Sequence, residues 1–168
     1  MNAKAKYYIE KLQLTSHPEG GYFRETYRSN ELLQQNDLPS RYSSSRAFST
    51  SIYFLLEGSQ ISKFHKLKSD EQWHFYDGST IILYTINKFG TLNKLLIGNK
   101  IENKESFQVN IPGDTWFAAE VMDKTSFALV GCTVAPGFDF DDFEFGKREY
   151  LIRDFPEHKD IIIRFTNQ

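Results

Sequence analysis

From Ala47 onward, apolar and polar residues trade places at short range. The runs FSTSIYFLLEG, ISKFHKLK, EQWHFYDG, TIILYTIN, LNKLLIG, SFQVNIPG, TWFAAEV and SFALVGCTVAPG are punctuated at regular spacing by turn-forming residues. A period of two puts successive side chains on opposite faces of an extended chain, so each run predicts a strand. No helical period intervenes, which argues for an all-β sandwich or barrel rather than alternating β–α units. Upstream, residues 3–14 predict a short helix with Tyr8, Ile9 and Leu12 on one face. Pro18 and Gly20-Gly21 then enforce a turn, and Tyr22, Arg24, Thr26 and Arg28 alternate as a strand. Residues 30–46 are polar and Ser-rich around Pro39 and predict a long loop, a length that often serves as a lid or binding segment. The C-terminal GKREYLIRDFPEHKDIIIRFT predicts short helix ended at Pro156. The whole, 1–168, reads as one domain with its β core at about 47–135.

Composition narrows the class. The 168 residues suffice for one buried core, and 40% hydrophobic with 25% charged residues is the balance of a soluble globular protein. A net charge of −2 gives no basic footprint, so no nucleic-acid partner is expected. No apolar run reaches about 18 residues, so no membrane span is expected. The N-terminus lacks a signal-peptide core, and a cytoplasmic protein is the expectation. A single cysteine, Cys132, excludes an internal disulfide and sits in an apolar run as a buried core residue. Aromatics are abundant, with 15 Phe and 9 Tyr, which suggests an aromatic-lined cavity or a subunit interface.

The candidate chemistry concentrates in GSQISKFHKLKSDEQWHFYDG, Gly58–Gly78. His65 and Leu67 share one strand face; after the Ser69-Asp70 turn, Glu71, Trp73 and Phe75 share another, with His74 and Tyr76 opposite. Folded as a hairpin, these strands would bring His65 and Glu71 to one barrel mouth above Trp73 and Phe75. The spacing resembles the first signature of the cupin barrels, in which two histidines and a glutamate hold a metal. Here Leu67 takes the second histidine's place, and Phe117 stands where the second signature would supply the last ligand. His65 and Glu71, with His74 pointing outward, remain as metal candidates. Catalytic transition-metal sites normally use three protein ligands, so no metal or other cofactor is expected.

Three blocks, HPEGGYFRETYRS (His17–Ser29), SDEQWHFYDG (Ser69–Gly78) and VAPGFDFDDFEF (Val134–Phe145), together resemble cupin superfamily 5. The resemblance runs from about Leu14 to Phe155. It implies an RmlC-like jelly-roll β-barrel and a homodimer, and it leaves the reaction open. RmlC-like sugar epimerases use a histidine base without metal, which implies isomerase or epimerase chemistry on a small polar, sugar- or nucleotide-like metabolite. In that reading His65 is the base, oriented by Glu71, Asp139 or Asp141. Tyr53 or Tyr84 returns the proton, Arg24 holds an anionic group on the face it shares with Arg28, and Trp73, Phe75 and Trp116 form apolar walls. Two alternatives stay open. One is a non-enzymatic barrel that stacks a planar ligand. The other is a divalent-metal enzyme using His65, Glu71 and a third ligand, His74 or Gln72.

Overall fold

The alternating runs become strands in a computed structural model that describes residues 1–167. In chain order these are helix α1 (Ala3–Lys11) and strands β1 (Thr15–Ser16), β2 (Tyr22–Arg28), β3 (Leu32–Leu33), β4 (Arg46–Ala47), β5 (Thr50–Glu57), β6 (Ile61–Leu67) and β7 (Asp70–Gly78). They continue with β8 (Ile81–Ile86), β9 (Leu92–Ile97), β10 (Gln108–Ile111), β11 (Trp116–Val121), β12 (Phe127–Ala135) and β13 (Phe143–Phe145). Helices α2 (Arg148–Asp154) and α3 (Lys159–Arg164) follow. One antiparallel sheet has six strands in the order β1-β2-β5-β12-β7-β10, and a second has five in the order β13-β6-β11-β8-β9. Their inner faces meet in a core that includes Phe54, Trp73, Phe75, Leu83, Phe117 and Val130.

The expected barrel is corrected in one respect: the two sheets do not close on each other, so the fold is a mostly-β jelly-roll sandwich. The expected hairpin is corrected too. β6 lies in the five-stranded sheet and β7 in the six-stranded one, so the Lys68-Ser69 corner carries the chain between layers. His65 and Glu71 therefore project into the interior from opposing sheets.

Both sheets are partly covered outside. Asn2 caps α1 by accepting hydrogen bonds from the Lys4 and Ala5 N–H groups at 3.0 and 3.4 Å. The helix lays Ala5, with Leu14 just beyond it, on Leu55, Phe127 and Leu129 of the six-stranded sheet. On the other side α2 and α3 press Leu151 and Ile162, with Phe165, onto Phe64, Ile86 and Ala118. Pro156 follows the end of α2 as expected, but it opens a 3₁₀ turn from which α3 resumes.

Residues 30–46 are more ordered than a loop. β3 pairs with β4, a 3₁₀ turn occupies Gln35–Asp37, and Tyr42 and Arg46 are buried. Arg46 grips Asp142 through two hydrogen bonds of 2.6 and 2.7 Å, which ties the excursion to the turn before β13.

Candidate functional site

The interior is not filled at the end of the sandwich where β2, β5, β6, β7 and β12 converge. A cavity of about 260 Å³ opens there, and its floor is polar: His65 from β6, Glu71 and Trp73 from β7, and Cys132 from β12. Phe23, Ile52, Phe54, Leu67, Val134, Phe138, Phe140 and Phe143 make the walls, with Glu25, Arg28 and Asp139 among the remaining lining residues.

Two local backbone features place the side chains that strand parity alone would not. The first is the Gly20-Gly21 turn, with φ of +118° and +75°. A Cβ on Gly20 would stand 2.1 Å from the Ile61 carbonyl oxygen, so only glycine lets this turn lie against β6. The approach delivers Glu19 onto His65. The second is an irregularity in β2, whose pairing with β5 shifts between Glu25 and Tyr27. The extra residue reverses parity, so that Phe23, Glu25 and Arg28 all face the cavity. Arg24, expected to share a face with Arg28, instead lies outside and donates to the Leu12 carbonyl and the Gln13 side chain.

His65 is fully engaged. Its Nδ1 lies 2.7 Å from the Lys63 carbonyl oxygen, which only accepts, and its Nε2 lies 2.9 Å from Glu19 Oε2. Burial disfavours charge on His65, but the Glu19 carboxylate and the Lys63 carbonyl outweigh it and hold the imidazole above its ordinary value. Burial likewise opposes charge on Glu19, yet His65 above all, then His17 and the Ser62 hydroxyl, brings its carboxyl below the usual range. Ser62 Oγ donates to Glu19 Oε1 at 2.8 Å. With Glu19 ionised, both ring nitrogens of His65 donate, and the ring is an imidazolium without a free lone pair. In this arrangement His65, expected as the base, has both nitrogens directed at protein acceptors. The residue that orients it is Glu19, not Asp139 or Asp141: Asp139 lines the cavity and caps the Asp141 N–H at 2.9 Å, while Asp141 is exposed and outside the lining.

His17, expected as a loop feature, also lines the cavity. Its Nδ1 accepts from the Glu19 N–H at 3.3 Å, and burial pushes the imidazole below its ordinary value, so it is neutral with its proton on Nε2. Glu71 is the group left to titrate. It is buried, and desolvation lifts its carboxyl to about 7 against the opposing pull of His65. Beside it the buried Trp73 indole N–H makes no hydrogen bond of ordinary geometry, the one such side-chain atom among the described residues, yet it lies close enough to the Glu71 carboxylate to favour its charge. Burial and the Glu71 charge together push the Cys132 thiol well up, so it stays protonated.

The remaining expected site residues fall elsewhere. Trp73 lines the cavity, whereas Phe75 lies in the core beyond it. Trp116 and Tyr84 face the C-terminal helices; Lys66 lies 4.7 Å over the Trp116 ring, and Tyr84 donates to Glu120 at 3.3 Å. Tyr53 stands on the outer face of the six-stranded sheet against Tyr76. His74 lies on that face too, bonded to Thr133 and Gln108. No residue of the 30–46 excursion lines the cavity. Glu19 and His17 were missed by sequence reasoning, although His17-Pro-Glu-Gly-Gly carried the signal of a turn rigid enough to seat a side chain.

A metal of the usual cupin kind does not fit these residues. Both nitrogens of His65 are taken, and the neighbouring ligand positions are the apolar Leu67 and Phe117. Among the described residues no group of three His, Cys, Asp or Glu side chains is placed to hold an ion.

Comparison with known proteins agrees with this fold. Residues 6–146 match the family model described as Cupin superfamily (DUF985). The uncharacterized protein YML079W of Saccharomyces cerevisiae is 33% identical over 153 residues, which is 84% of this chain and 74% of that protein. Protein SO0799 from Shewanella oneidensis superposes with a TM-score of 0.87 at 35% identity, covering 99% of this chain and 98% of that one. A hypothetical protein from Leishmania major does so with 0.89 at 30% identity over 100% of both chains. Oxalate decarboxylase from Bacillus subtilis, 15% identical with a TM-score of 0.55, covers 91% of this chain and 39% of its own; that likeness is one of fold alone.

Proposed function

The chain belongs to the DUF985 family of the cupin superfamily, and from that premise we propose that its cavity binds a small organic molecule and moves a proton on it through Glu71. The observation that carries the reading is the Glu71 carboxyl itself: buried, facing an aromatic cavity, and lifted to about 7, where it both takes and returns a proton at neutral pH. The reaction class is a one-base isomerisation. The Glu71 carboxylate removes a proton from one end of an H–X–C=Y unit, Y being oxygen or nitrogen, and the bonding electrons shift towards Y. The resulting carboxylic acid then delivers the proton to the other end. The unpartnered Trp73 N–H is the donor available to polarise Y. A two-base epimerisation is less well supported, because no tyrosine lines the cavity to return a proton on the opposite face. The His65–Glu19 pair moderates the charge on Glu71; it does not itself exchange protons with the ligand.

The test is proton wash-in. The protein is incubated in D₂O with a panel of small carbonyl compounds and nitrogen heterocycles, and ligand signals are followed by NMR. Deuterium entry at the exchanging position, abolished in Glu71→Gln, is the expected result. Ligands that bind the cavity without exchange or interconversion would defeat the proton-transfer reading and leave a pure binding cavity. That second reading is favoured by one observation, the locked imidazolium of His65.

A further inference from the structure

The charges around the cavity are unequal. Four carboxyl groups line it, on Glu19, Glu25, Glu71 and Asp139, against two cations, His65 and Arg28. Both cations are spoken for. His65 is bound by Glu19 at 2.9 Å. Arg28 donates to both Glu25 oxygens at 3.0 and 2.7 Å, and its remaining Nη1 donates to the Phe138 carbonyl at 3.1 Å. Nothing positive is left over for an anionic ligand, while Glu71 and Asp139 have no cationic partner in direct contact. An anion entering here would face uncompensated carboxylates in a largely apolar enclosure, where repulsion is poorly screened.

The walls point the same way. Phe23, Phe54, Phe138, Phe140 and Phe143 present rings around the space above Trp73. Such rings attract a flat cation through their negative faces, and most strongly where water is excluded. On the floor, the Glu71 carboxylate offers two adjacent acceptor oxygens, the geometry that a pair of parallel N–H groups matches.

We propose that the cavity selects a flat organic cation of the amidinium type, such as an arylamidine or a protonated amino-heterocycle. Its ring enters among the phenylalanines and its paired N–H edge meets Glu71. The inference rests on the reading of this cavity as the small-molecule site, and it adds the class of ligand: not a sugar phosphate or a carboxylate, but a planar nitrogen cation. The groups that set the charge on Glu71 are His65 on β6, Glu19 on the preceding turn, and Cys132 and Trp73 beside it. Its ionisation is therefore linked to cation binding.

Three isosteres separate the outcomes: benzamidine, which is cationic throughout the range tested, neutral benzamide, and anionic benzoate. Titration calorimetry with the full chain at pH 6, 7 and 8 is expected to rank benzamidine above benzamide and benzamide above benzoate. Benzamidine should bind about tenfold more weakly at pH 6 than at pH 8, because a carboxyl titrating at about 7 is mostly protonated at the lower pH. Glu71→Gln should abolish both the preference over benzamide and the pH dependence. Benzoate binding as tightly as benzamidine, equal affinity for benzamidine and benzamide, or no binding of benzamidine at pH 8 would each overturn the proposal. If benzamidine fails while some neutral or anionic ligand still takes up deuterium through Glu71, the charge selectivity falls and the proton-transfer reading stands.

Discussion

A buried carboxyl that titrates near neutrality is a stability statement about Glu71 as well as a chemical one. Its folded value, about 7, lies above the ordinary 4.5, so the native state holds a proton that the unfolded chain has already released. Native stability therefore falls as pH rises from the unfolded value through the folded one, by about 3 kcal/mol in all. The His65–Glu19 pair has the opposite lower bound: the lowered Glu19 value adds stability above its unfolded pKa that is lost as pH falls through the folded one. The raised His65 value adds stability below about pH 6.5 that is lost as pH rises through its folded value. Replacing Glu71 by Gln removes the first effect and, among the influences on His65, only the smallest, the Glu71 charge. We expect Glu71→Gln to exceed the wild type in stability by up to about 3 kcal/mol at pH 8 and to match it at pH 4, as read by urea denaturation at the two pH values. A variant that is less stable at pH 8 would mean that Glu71 is ionised without penalty in the native state.

At the scale of the element, two short irregularities decide which residues reach the cavity. In Gly20→Ala, the added Cβ would collide with the Ile61 carbonyl and the residue would be held at φ +118°. The turn must back away from β6, at a cost of about 2 kcal/mol or more. The diagnostic signal is at His65, whose titration, followed by NMR of the ring protons, should fall towards its ordinary value as Glu19 withdraws. If the His65 value is unchanged in Gly20→Ala, the turn is not what seats Glu19. These irregularities also show what the sequence could reveal. The opposition of His65 and Glu71 was legible, because strand parity survives the change of sheet at Lys68-Ser69. The separation of Arg24 from Arg28 was not, since one extra residue in β2 reverses every later face while leaving the alternation of residue types intact. Glu19 was hidden for a different reason: it sits in a turn, where no period predicts direction.

On the scale of the whole molecule, the five-stranded sheet is apolar on both sides, with the sandwich core on one and α2 and α3 on the other. That is why Trp116 reads as a cavity wall, and Tyr84 as a proton donor into the cavity, from residue type alone. Their faces are as apolar as the inner ones, and only the docked helices distinguish them. The same layering separates stability from the site. Ile162 is fully buried in the outer layer, so Ile162→Ala should cost about 2–5 kcal/mol in denaturant unfolding. Because the sheet stands between Ile162 and the cavity, its ligand affinity below the unfolding transition should be unchanged. A coupled loss of affinity would show that the helical layer shapes the pocket through the sheet.

The division of the chain's two tryptophans between these layers makes the molecule its own optical sensor. Trp73, 1% exposed, lies on the cavity floor with an unbonded indole, whereas Trp116 is half-buried under Lys66 on the opposite side of its sheet. Their emission should resolve into a short-wavelength component from the dry indole and a longer one from the wetter. Occupancy of the cavity would be reported by the first colour alone, and in Trp116→Phe the whole remaining spectrum would belong to the site.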